Sequence, residues 1–196
     1  MVIRLTMGEA IERLAALPAR LLVGIDGLPC SGKSTLVDQV AARSTIASLS
    51  LDDFVLPRTV WPADIRPAFP FAYVRHAEFF AAVRELHETG SATITPFDWD
   101  RYRLGTPHRL ERGNRALFVE GVSALAAELV SVYDLKVFVE SDRTTVLAAA
   151  RARGLGPWAD EWPTLFLPSA DLYMATQPQA RADWIVAGRG ARAGGN

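Results

Sequence analysis

Apolar positions along the chain fall into two alternating rhythms. Short, mostly apolar runs at residues 21–25, 45–51, 92–95, 117–119, 135–139 and 183–187 have the length and composition of strands. Between them the spacing becomes helical. Thr6 and Glu9 stand three apart, as in a capping box, and Ala10, Ile11, Leu14 and Leu17 continue one face until Pro18, which predicts a short helix over about 6–17. Further helices are predicted over 36–42, fading near Ser44, and over 73–88, 125–130 and 143–153. Residues 161–176 read as helical at least in part, despite Pro163 and Pro168. Between 57 and 70 prolines exclude a regular element and predict a loop along a site rim. There Trp61, Phe69 and Phe71 would either stack on a flat ligand or plug the loop onto the domain. The ending ARAGGN is predicted to fray.

Strands alternating with helices, without an internal repeat or a linker, predict one α/β domain over 1–196. It would be a doubly wound, mainly parallel sheet flanked by helices, with ligands at the carboxyl ends of its strands. A length of 196 residues with 49% hydrophobic content supplies one substantial core. The formal net charge of −1 gives no pull toward nucleic acid or an anionic membrane, so the expected partner is a small molecule. A homo-oligomer stays open. Cys30 stands alone, which excludes an intramolecular disulfide and a cysteine metal site, and the three histidines are scattered. No apolar run spans a bilayer and the start MVIRLTMGEA has no signal-peptide core, so a cytoplasmic protein is expected.

The strongest chemical signal follows the first strand run. Gly27, Gly32, Lys33 and Ser34 fill a G-x-x-x-x-G-K-[ST] pattern between that strand and the helix at 36–42. A loop of this kind turns successive backbone N–H groups toward a polyphosphate at the positive end of a helix. The residues 27–35, namely Gly27, Leu28, Pro29, Cys30, Ser31, Gly32, Lys33, Ser34 and Thr35, are therefore predicted to bind ATP. Lys33 would supply a point charge for the β- and γ-phosphates, and the Ser34 hydroxyl would ligate Mg²⁺. Cys30 reads as a small loop filler rather than a reactive thiol.

Phosphoryl transfer also needs carboxylates at neighbouring strand ends. Asp52 and Asp53 follow the second strand, and Glu120 ends the LFV strand. Asp52 suits either a turn cap or a base toward an acceptor, and its place on the crevice favours the base. Glu120 suits the metal or its water shell, or a turn before Gly121. Arg151 and Arg153 could stabilise the transferring group from a lid over about 143–160. The five arginines from Arg101 to Arg115 read mainly as solvated surface.

The order GIDGLPCSGKST, SLDDF, ITPFDW, LFVEG, YDLKVFVE, a basic helix and the P-x-x-x-AD-x-IV pattern at 178–186 resembles the uridine kinase and phosphoribulokinase family of P-loop kinases. The likeness runs from about 21 to about 188. It implies a P-loop NTPase fold and an ATP- and Mg²⁺-dependent kinase acting on a primary hydroxyl, with a nucleoside as the leading acceptor. Pantothenate, a sugar, or ATP hydrolysis without an acceptor are the alternatives. It further implies that Asp52 of the D-x-F motif is the base, with Phe54 completing that motif. Phe97, Asp98 and Trp99 match the triplet that contacts the nucleoside, and Tyr102 is the nearest match to the histidine that usually follows. The stretch RPAFPFAY replaces an aspartate-containing one, and the lid is short.

Overall fold

The computed structural model describes residues 2–154 and 156–190, so the predicted fraying of 191–196 lies outside the described residues. Six strands form one parallel sheet: β1 (Ile3–Leu5), β2 (Leu22–Gly27), β3 (Ile46–Ser50), β8 (Ala116–Glu120), β9 (Leu135–Glu140) and β10 (Trp184–Ala187). Their spatial order is β1-β10-β9-β2-β8-β3. Four shorter strands, β4 (Ser91–Ile94), β5 (Phe97–Asp98), β6 (Arg103–Leu104) and β7 (His108–Glu111), pair as two antiparallel ribbons, β4 with β7 and β5 with β6. The α-helices are α1 (Met7–Ala15), α2 (Lys33–Ala41), α3 (His76–Thr89), α4 (Arg143–Arg153) and α5 (Leu167–Met174).

The central strands β2 and β8 are buried at every residue, because both faces of the sheet are covered. Alternate residues serve opposite faces. Val23 and Ile25 pack against Ile11, Leu14, Leu36 and Val40 from α1 and α2, whereas Leu22 joins Phe54, Phe79, Leu117 and Tyr173 on the other side. Thr6 closes the predicted capping box at the start of α1, accepting the Glu9 N–H while Glu9 accepts that of Thr6.

One predicted element comes out differently, and others take places that the sequence pattern does not show. Residues 125–130 form no α-helix. They make consecutive tight turns, in which the Ala126 N–H donates to the Ser123 carbonyl and the Leu129 N–H to that of Ala126, with Leu125, Ala126 and Leu129 fully buried and the Leu125 N–H held by a buried carboxylate. The 92–95 run becomes β4, in a ribbon away from the main sheet. The arginine-rich run supplies its partner β7, where Arg109 lies exposed, and Arg115 folds back on backbone carbonyls. The first strand, β1, escapes notice because it has three residues and pairs only with β10 at the edge. Pro163 lies in a π-turn over Trp162–Phe166 that leads into α5, whose first turn holds Pro168. Among the described residues no helix is long and apolar enough to cross a membrane.

His76 opens α3 among the rings of Phe69, Phe71 and Phe80, with neither ring nitrogen partnered. Burial holds its pKa down at about 4, against 6.5 ordinarily. Between those values the unfolded chain binds the proton and the folded one does not. The stability gained from the neutral ring is therefore complete above about pH 6.5 and is lost as pH falls toward about 4. On going from about pH 7 to about pH 4.5, urea titrations should show the wild type losing roughly 2 to 3 kcal/mol more than His76→Phe. Identical acid limbs for the two proteins would remove His76 as the cause.

Candidate functional site

β2 carries Asp26 and Gly27 to the carboxyl edge of the sheet, and the chain then turns through 28–32 into α2. Gly27 has φ +148°, and a Cβ there would run into the Val139 carbonyl, so only glycine lets the loop begin so close to β9. Gly32 is the N-cap of α2, and the first N–H groups of that helix have no partner within it. The Lys33 side chain lies across the loop, its Nζ donating to the carbonyls of Gly27 at 3.0 Å and Leu28 at 2.8 Å. From behind, the Arg189 N–H donates to the Ser31 carbonyl at 3.1 Å, and a Cβ on Gly188 would lie 2.6 Å from that oxygen.

Asp26 is fully buried beneath this loop. Its Oδ1 accepts the N–H of Gly27 at 2.6 Å and of Ser123 at 3.2 Å, and its Oδ2 accepts that of Leu125 at 2.7 Å and the Tyr173 hydroxyl. Burial raises its pKa even against these bonds and the charge of Lys33. A second buried carboxylate, Glu120, ends β8. Its Oε1 accepts hydroxyls from Ser50 at 2.6 Å and Ser34 at 3.4 Å. Burial and then the charge of Asp52 push its pKa up, opposed by Lys33 and the two hydroxyls.

Asp52 sits in a single helical turn, Leu51–Phe54, directly after β3. The cap of that turn is Ser50, whose Oγ accepts the Asp52 N–H at 3.2 Å, so the Asp52 side chain is not the cap. It faces a cavity of about 800 Å³. Pro29, Cys30, Gly32, Lys33, Ser34 and Thr35 line one part of this space, and Glu120 lies beside Asp52. Elsewhere the walls combine aliphatic residues such as Leu51, Val55 and Val122, and Arg189 behind the loop, with a set of rings: Tyr73, Trp99, Tyr102, Trp158, Trp162 and Phe166. Trp158 ties them together, its ring centroid 5.5 Å from Phe166 and 6.2 Å from Trp99.

Several residues expected at the site stand elsewhere. Gly27, Leu28 and Ser31 belong to the phosphate loop without lining the cavity. Phe54 is 2% exposed, edge-on to Phe79 and covered by the Arg75 guanidinium, because the apolar side of its turn packs into the core. Phe97 is likewise buried, and Asp98 is occupied by the N–H groups of Asp100 and Arg101 and by the Arg101 guanidinium at 2.9 Å. None of these three side chains meets the cavity, so the expected substrate triplet is reduced to Trp99, joined by Tyr102. On α4, Ala149 and Ala152 line the cavity whereas Arg151 is exposed outside its lining, and the side chain of Arg153 lies outside the described part of the structure. Arg143 makes a two-pronged ion pair with Asp171 that fastens α4 to α5.

Sequence reasoning missed Asp26, Ser50, Tyr173, Arg189 and the rings at 158, 162 and 166. Only Asp26 left a signal, as a carboxylate inside an otherwise apolar strand run. Among the described residues no three His, Cys, Asp or Glu side chains gather as a metal-binding group.

No family model matches the chain, and no curated protein matches it in sequence. Solved structures do match in shape. One is described as a possible uridine kinase from Bacillus stearothermophilus, with a TM-score of 0.69 and 20% identity over 92% of this chain and 98% of that one. Another, from Silicibacter sp. TM1040, is provisionally described as a fructose transport system kinase, with a TM-score of 0.60 and 19% identity over 90% of this chain and 95% of that one. With the parallel sheet flanked by helices, this likeness shows the P-loop NTPase α/β fold.

Asp26→Asn would place an amide donor against backbone donors. Unfolding free energy measured in urea should fall by about 2 to 3 kcal/mol, and by only about 1 kcal/mol in Tyr173→Phe, which removes one bond of the four. Wild-type stability in Asp26→Asn would show that the buried carboxylate holds nothing together.

Proposed function

We propose that the protein is an ATP-dependent kinase that transfers the γ-phosphoryl group to the primary hydroxyl of a small molecule. The observation that carries this reading is Asp52: a carboxylate without a capping duty, on the same cavity as Lys33 and Ser34, with room for a second substrate beyond it. The matched structures bear kinase names with different acceptors, which supports phosphoryl transfer and leaves the acceptor open.

In this reading Lys33 exchanges the Gly27 and Leu28 carbonyls for the β- and γ-phosphates, alongside the loop N–H groups. Mg²⁺ suits the Ser34 hydroxyl and Glu120 carboxylate, two hard oxygen donors already within 3.4 Å of each other. A cation there would also offset the burial that raises the Glu120 pKa. When bound, the metal supplies charge neutralisation to the phosphates. Asp52 accepts the acceptor's hydroxyl proton as the new O–P bond forms and the bond between the γ-phosphorus and the β–γ bridging oxygen breaks, releasing ADP. Arg151 and Arg153 are assigned to the closed state of the 143–160 segment, whose helix already borders the cavity through Ala149 and Ala152.

Purified protein should convert at least one member of a Mg·ATP and alcohol panel to a phosphate ester, read by mass. Asp52→Asn should lower kcat by about 10²- to 10⁴-fold while ATP binding stays within about threefold of wild type. ATP hydrolysis that ignores every acceptor and is untouched by Asp52→Asn would replace the kinase with an ATPase.

A further inference from the structure

The half of the cavity beyond Asp52 restricts what the acceptor can be. Its walls come from elements that pack on the Asp52 turn: Val55 pairs with Val74, and β5 lies against residues 51–54 and leads into Trp99 and Tyr102. The segment 156–166 closes the far side with Trp158, Trp162 and Phe166. Apart from the loop residues 29–35, Asp52, Glu120 and Arg189, whose N–H is bound to the Ser31 carbonyl, every polar side-chain atom among the described residues lining the cavity is an indole N–H or a phenol hydroxyl. No Asn, Gln or His side chain of the described residues lines the cavity, and its Ser, Thr, Lys and Arg members are Ser34, Thr35 and Lys33 of the loop and helix α2, and Arg189, which backs that loop.

A ribose or hexose brings several hydroxyls into its site, and each needs a partner once water is gone. Sites that choose polyols meet those groups with paired donors and acceptors, and lose several orders of magnitude of selectivity when such partners are missing. This chamber has one carboxylate, which the transfer step itself uses, and then rings. Ring walls reward a ligand by contact area and by stacking, and those terms do not depend on hydroxyl number.

Resting on the kinase reading above, we infer that the acceptor is an alcohol with one reactive hydroxyl carried on an aromatic or otherwise hydrophobic body, and not a nucleoside or a sugar. The hydroxyl lies at Asp52 and the body fills the space between Trp99, Trp158 and Phe166. The chemistry balances as for any kinase: the alcohol oxygen gains the phosphoryl group, its proton passes to Asp52, and ADP leaves.

The test compares 2-phenylethanol and benzyl alcohol with uridine, fructose and choline under Mg·ATP, reading phosphate esters by mass. In parallel, calorimetry follows binding of the same alcohols to protein saturated with a non-hydrolysable ATP analogue. The expected result is a kcat/KM for an aromatic alcohol at least about tenfold above that for uridine or fructose, with KM raised about three- to tenfold in Trp99→Ala. Trp99 is 46% exposed, so that variant should keep the wild-type melting temperature, and its kcat should change much less than its KM. Phosphorylation of uridine, fructose or choline in preference to the aromatic alcohols would overturn this inference and leave the kinase intact. Tight binding of an aromatic alcohol without any phosphoryl transfer would overturn the kinase and uphold the pocket assignment. Neither binding nor transfer of the aromatic alcohols would overturn the inference outright.

Discussion

A carboxylate taken out of water at the end of a parallel strand must find donors on every side, and Asp26 finds them on three separate parts of the chain. It holds the first amide of the phosphate loop, two amides of the turns after β8, and a hydroxyl from α5. Burying an ion this way is costly unless all its lone pairs are used, which makes the arrangement intolerant of displacement. The loop, the Glu120 strand end and α5 are thereby registered to one another through a single side chain. Lys33, whose charge is felt at Asp26, does not pair with it directly and donates to the loop carbonyls of Gly27 and Leu28.

Around that fixed centre the site divides into two unlike halves. One is made of backbone amides, a lysine, hydroxyls and buried carboxylates, and its geometry follows from where parallel strands end. The other is assembled from segments outside the sheet: the proline-rich stretch, the β5–β6 ribbon and the π-turn before α5. Rings from all three converge on Trp158, and Trp61, anchored by its indole N–H on the Leu56 carbonyl, backs them. Sheet-borne chemistry is thus joined to a chamber whose shape depends on side-chain packing, and the two halves meet at Asp52.

What could be read from the sequence follows the same division. Phosphate-loop residues and the carboxylates at 52 and 120 occupy positions that local pattern dictates: a buried strand, a turn, then a helix. The chamber was legible only as a surplus of aromatics near prolines. Whether Phe97 or Trp99 faces the ligand depends on a two-residue ribbon whose pleat no periodicity reveals, and Phe54 was drawn into the core by Phe79 and Arg75. The 125–130 stretch has helical residues yet is folded into tight turns whose start, at Ser123 and Leu125, is pinned by Asp26, about a hundred residues away. Such long-range claims are invisible to any window of sequence.

The pairing of β1 with β10 brings the third residue of the chain beside the hundred and eighty-fourth, and the residues just past β10 then brace the Ser31 carbonyl. During synthesis the phosphate loop leaves the ribosome early, while its support arrives about 150 residues later. Until Gly188 and Arg189 are in place the loop has its glycines but not its backing, and before β10 is made β1 has no neighbour to join it to the sheet. The backing of the loop is therefore acquired long after the loop itself has been made. The geometry of the loop would thus report that synthesis has passed Arg189 as much as the presence of its own glycines.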